Sequence, residues 1–141
     1  MKALWTLSVM ALMLTPTARG DDTPNDGYSD VDCSVGGQTE MTLCFGEAYQ
    51  AADAKLNQVY QSLKVRLSDT ERDKLLHEER AWIKERDKKC VEDADDDPQN
   101  DASPGYHLQL SAFQNSCKLE MTKVRIKTIE ERLKALPAPK P

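Results

Sequence analysis

Charge placed on a buried helical stripe constrains this chain more than any other feature. Between Leu75 and Cys90, the residues Leu75, Leu76, Trp82 and Ile83 recur at helical spacing, but Glu79 and Arg86 fall on or beside the same stripe. A charge drawn out of water near a core must be paired and hydrogen-bonded. Any fold of this chain therefore has to deliver counter-charges to this helix. Asp53, Asp87 and Arg125 are the candidates, and with Glu79, Trp82 and Arg86 they form an expected structural network.

The segments on either side of that helix say how the counter-charges arrive. Met41, Phe45, Ala48, Ala52, Leu56, Val59, Leu63 and Leu67 step by four or three, which predicts one long amphipathic helix from about Thr39. Ser68 and Glu71 read as a capping box, so the second helix starts at once and the two make a long antiparallel hairpin. Asp53 lies 14 residues before Leu67 and Arg86 lies 18 after Ser68, which puts them within about a turn of each other in height. Arg125 is the competing partner for the Asp53 carboxylate. A third helix is expected from Ser103 or Pro104, with Leu110, Phe113, Cys117, Met121 and Val124 inward, drifting to Ile126, Ile129, Leu133 and Leu136. No convincing strand and no internal repeat is present.

Four cysteines, Cys33, Cys44, Cys90 and Cys117, sit behind an N-terminal export signature. Lys2, the apolar run from Leu4 to Leu14 and Ala18-Arg19-Gly20 make residues 1–20 a secretory signal peptide, with a run too short to span a bilayer. The first cysteine comes too late for lipid anchoring, so no stable membrane anchor is expected after cleavage and the product is periplasmic or secreted. An even cysteine count in an oxidising compartment reads as two disulfides, and gaps of 11, 46 and 27 do not suit a metal site. Matching heights along the hairpin favours Cys33–Cys90 with Cys44–Cys117, followed by Cys33–Cys117 with Cys44–Cys90. The expected fold class is thus all-α, a small disulfide-stapled three-helix bundle. Residues 21–38 form a flexible lead-in tied down only near Cys33, residues 39–136 the helical domain, and residues 137–141 a loose Pro-rich tail.

Charge and chemistry narrow the function. The chain holds 19 basic and 24 acidic residues, and losing Lys2 and Arg19 with the signal leaves 17 against 24, a charge of −7. That speaks against nucleic acid and anionic membrane as partners and suits a cationic one. His77 and His107 have no neighbouring nucleophile, no Gly-rich phosphate loop exists, and no cofactor is expected. Asp93, Asp95 and Asp97 alternate like the first ligands of a calcium loop, but Pro98 stands where the turn glycine belongs and Pro104 where the bidentate acid belongs. The loop of residues 92–104 is instead read as a solvated acidic segment, with Asp93, Asp95, Asp96 and Asp97 as candidate partner-binding residues.

Five ordered segments carry a family resemblance: Cys33; Thr39 to Cys44; Ala52-Asp53 through Leu56-Asn57 to Tyr60; Arg80-Ala81-Trp82-Ile83 with Arg86-Asp87 and Cys90; and Cys117 with Thr122 and Arg125. In these the chain resembles the LprI-like lysozyme inhibitor family. The departures are Glu79 where Gln is common, and the Asp-rich loop where a Gly-Gly-Ser-like turn is common. The resemblance implies a small exported helical domain, non-enzymatic, that inhibits a lysozyme-type muramidase. The rival class is a structural or envelope-stress interaction protein of the periplasm with no lysozyme target. An acidic inhibitor suits a cationic lysozyme, since opposite potentials speed encounter.

Overall fold

The computed structural model describes residues 26–92 and 104–137. The signal segment, the aspartates of the acidic loop and the last residues of the tail lie outside the described residues. Three helices make up the fold: α1 (Gln38–Lys64), α2 (Asp69–Asp87, prolonged by one turn of π-helix, Lys88–Glu92) and α3 (Pro104–Ala135). Helix α2 opens where the sequence places its cap. The Ser68 backbone N–H and hydroxyl both donate to the Glu71 carboxylate, at 2.9 and 2.6 Å. Helix α2 then runs back along α1, and α3 runs parallel to α1. Gln38 Nε2 donates to the Gly105 carbonyl at one end, and Arg66 holds the Leu133, Leu136 and Pro137 carbonyls at the other.

The three interfaces are unequal, and side-chain size explains why. α1 approaches α3 most closely. Ala48 and Ala52 are buried there and let the backbones draw together around Leu56, Val59, Leu63, Leu119, Ile126 and Ile129. α2 stands further off, with the large side chains of Tyr49, Tyr60, Trp82 and Arg86 lining the space between it and α1. Of the expected α2 seam, Leu75, Glu79, Arg86 and Cys90 are buried, Trp82 is half-buried, and Leu76 and Ile83 are exposed.

Helix α3 turns differently from its expected stripe. Ala112, Leu119 and Thr122 are buried, whereas Phe113 and Val124 are 59 % and 67 % exposed. Apolar residues occur on more than one face of this 32-residue helix. Packing against α1 selects the face with small and branched residues, and Cys117 and Met121 turn toward the end of α2, where the Cys90 and Met121 sulfurs lie 3.6 Å apart.

Both disulfide pairings expected from helix heights are wrong. The bridges are Cys33–Cys44 and Cys90–Cys117, with Cα separations of 5.6 and 5.5 Å. Arg86 meets Asp53 and Tyr49, so Cys90 lies about level with Tyr49, more than a turn from Cys44, and Cys44, nine residues before Asp53, points to the opposite side of α1 from α2. The lead-in reverses beside α1 through Gly36, at φ +106°, a conformation that favours glycine, and this returns Cys33 to the second turn of α1. The lead-in is also anchored earlier than expected. Asp26 accepts from the Tyr28 and Ser29 backbone N–H groups, and the Tyr28 ring enters the core. By loop closure the two bridges contribute roughly 3 and 3.5 kcal/mol.

Candidate functional site

Helix α2 carries Glu79, Trp82 and Arg86 at intervals of three and four, so all three face the other helices. The Arg86 guanidinium is nearly buried. Its Nε and Nη2 bind Asp87 Oδ1 at 3.0 and 2.9 Å, and its Nη1 lies 3.5 Å from Asp53 Oδ1. The second Asp53 oxygen accepts from Asn57 Nδ2 at 3.2 Å. Arg86 also lies against two rings, 5.2 Å from the Trp82 centroid and 5.6 Å from that of Tyr49. Arg125 covers Trp82 at 5.7 Å, and Lys118 lies 5.9 Å from Tyr49. Lys118, Tyr49, Arg86, Trp82 and Arg125 thus alternate cation and ring across all three helices. Each such contact is worth about 0.5–2 kcal/mol, rising with desolvation.

The ladder ends on an ion pair. Arg125 Nη2 and Nε donate to Glu79 Oε2 at 2.7 and 3.0 Å, with both side chains close to buried. Arg125 therefore does not compete for Asp53, because Glu79 faces α3 while Asp53 lies on α1 on the other side of Arg86. A second α2–α3 pair, Arg132 with Glu78 at 2.6 Å, lies nearer solvent. All six residues of the network expected from the sequence fall in this one assembly. Sequence reasoning missed Tyr49 and Lys118. Tyr49 had a usable signal, since it stands four residues before Asp53 on the same face of α1. Burial pushes the Tyr49 phenol above its ordinary range, and the Arg86 charge opposes that shift.

A cleft of about 420 Å³ opens between α1 and α2, lined by Tyr49, Glu79, Trp82 and Arg86 of this ladder together with Asp53, Asn57, Arg80 and Ile83. Two of the segments that carry the family resemblance, Ala52 to Tyr60 and Arg80 to Cys90, therefore face each other across it. Both of the ring faces that could serve as stacking platforms, those of Trp82 and Tyr49, already carry cations. The assembly works as a scaffold that fixes α2 against α1 and α3, and its charged atoms are directed at one another.

The described residues hold two histidines. His77 and His107 are exposed, and the Tyr106 ring lies 6.0 Å from that of His107. Every cysteine is in a disulfide, and no group of three or more His, Cys, Asp or Glu residues is placed to hold a metal among the described residues. No helix among them is long and apolar enough to cross a membrane. The candidate partner-binding residues Asp93, Asp95, Asp96 and Asp97 lie outside the described residues.

No curated protein and no solved structure matches this chain significantly. One family model does, that of the lysozyme inhibitor LprI, over residues 31–129. The match begins just before the Cys33–Cys44 clamp, spans α1, α2 and the whole cation–ring ladder, and ends at buried Ile129 in α3. This chain belongs to the LprI lysozyme inhibitor family.

Proposed function

We propose that the protein is exported and inhibits a lysozyme-type muramidase by binding the enzyme itself, and that its target is a cationic lysozyme. Family membership is the observation that carries this reading. Two bridges with no free thiol support an oxidising, extracytoplasmic compartment. The acidic balance of 24 to 19 supports a cationic partner. A three-helix scaffold held by two disulfides suits a protein that acts by occupying a surface.

The acidic loop is the proposed electrostatic contact. Residues 92–104 contain six acids and no Lys or Arg, so the segment carries a dense negative charge. Its role is to speed encounter, since opposed fields raise association rates more than they lower dissociation.

The test is lysis of bacterial cell walls by several lysozymes, titrated with the mature protein and with a variant carrying Asn at Asp93, Asp95, Asp96 and Asp97. The expected result is inhibition by the wild type, weaker inhibition by the variant at low salt, and a gap that narrows as salt rises. Equal potency at low salt would exclude the loop as the contact. No inhibition of any lysozyme by the wild type would overturn the reading in favour of a structural or envelope-stress role.

A further inference from the structure

Helix α2 with its π-helical last turn is an arm held firmly at its two ends and lightly in between. One end is the turn at residues 65–68, where Leu67 is buried and the cap of α2 begins. The other is the Cys90–Cys117 bridge, about 30 Å from Ser68 along the helix. The buried side chains of α2 itself are Leu75, Glu79 and Arg86, and of these only Leu75 is apolar. The α1–α3 interface, by contrast, buries Leu56, Leu119, Ile126 and Ile129.

The arm is also loosely packed. The cleft of about 420 Å³ runs between it and α1, so part of that interface lacks the close contacts of a core. Its backbone nears α3 mainly in the last turn, beside the bridge. The remaining ties are charged: Glu79 with Arg125, Arg86 with Asp53, and Glu78 with Arg132. Such pairs fix geometry, but the hydration regained when ions separate offsets most of their attraction. The covalent bridge, across a sequence separation of 27, is therefore the strongest tie on the far half of the arm. The second bridge, Cys33–Cys44, joins the lead-in to α1.

We propose that Cys90–Cys117 is a redox latch, and that its reduction by a dithiol of the thioredoxin class lets α2 swing out on the turn at residues 65–68 while α1 and α3 stay packed. Cys90 is fully buried, with the Met121 sulfur 3.6 Å away, whereas Cys117 is partly exposed. The attacking thiolate therefore reaches Cys117. It forms a mixed disulfide with Cys117 and expels the Cys90 sulfur as a thiolate, which takes up a proton. The second thiolate of the reductant then displaces Cys117 in the same way. The protein gains two electrons and two protons, and the dithiol departs as a disulfide. Opening uncovers Leu75 and Trp82 on α2 and the rings of Tyr49 and Tyr60 on α1, and reoxidation recloses the latch.

The test follows amide hydrogen exchange of the mature protein, oxidised and after dithiothreitol, with mass spectrometry of alkylated cysteines to show which bridge has opened. The Cys90→Ser/Cys117→Ser double variant, with Cys33–Cys44 intact, isolates the latch. In the reduced protein and in the variant, α2 amides should exchange at least about 100-fold faster than those of the α1–α3 core, a gap that the oxidised protein lacks. Trp82, the one tryptophan beyond residue 20, should become open to acrylamide quenching, and reoxidation should restore the protected state. Loss of protection in all three helices together would overturn the latch and make the bridge a global staple. So would full protection of α2 with the bridge open, or a bridge that dithiothreitol leaves intact in the folded protein.

Discussion

Two ion pairs join the same two helices through adjacent residues of α2 and differ chiefly in burial. Glu79–Arg125 closes at 2.7 Å with side chains 11 % and 13 % exposed. Glu78–Arg132 closes at 2.6 Å with side chains 49 % and 39 % exposed. Length and chemistry are matched, so solvent is the main variable. Arg125→Met keeps a flexible apolar side chain over Trp82 but leaves the Glu79 carboxylate buried without its guanidinium. Removing one member of a buried pair costs about 3–5 kcal/mol, whereas an exposed pair is worth about 0–1 kcal/mol. Arg132→Met should therefore be nearly silent. Each kcal/mol moves the melting midpoint of a domain of about 100 residues by roughly 4–8 °C, so Arg125→Met should lower it by roughly 12 °C or more. Adding Glu79→Met to Arg125→Met should recover most of the loss, because two well-packed apolar groups replace a buried pair at little cost. The assays are thermal and urea unfolding followed by far-ultraviolet circular dichroism with the disulfides intact, on the two single variants and the double. Equal small losses for Arg125→Met and Arg132→Met would refute the reasoning. So would a double variant no better than Arg125→Met alone.

Two further outcomes follow from single side chains. Thr122 is fully buried in α3 and its hydroxyl has no hydrogen-bond partner, so Thr122→Val should raise stability by about 1 kcal/mol in the same urea assay, and an unchanged or lower midpoint would count against an unpaired hydroxyl. Hydrogen bonds from the Ser68 hydroxyl and backbone hold the Glu71 carboxyl below its ordinary range; such a contribution is complete above the ordinary carboxylate value and is lost as pH falls through the depressed one, so Glu71→Gln should be destabilising at neutral pH with a gap to wild type that closes on acidification.

Local pattern sufficed for much of this protein. The three helices and the cap at Ser68 follow from period and propensity, which depend on residues a few positions apart. The network was legible because charge on a buried stripe demands a partner, and few partners lay at the right height along the hairpin. Membership of the inhibitor family was legible too, since its segments keep their order along the chain. What local pattern could not supply was azimuth. Cys44 faces the lead-in and Cys90 faces α3, and only the packed bundle says so. The inward face of α3 was likewise open, because its apolar residues lie on several sides, and the close approach of α1 over Ala48 and Ala52 chose Leu119 and Thr122 over Phe113 and Val124. The same choice left the Phe113 ring exposed. Height along a helix is set by covalent rise per residue, so sequence carries it. Rotation about the axis is set by which neighbour packs closest, and that is decided only when all three helices meet.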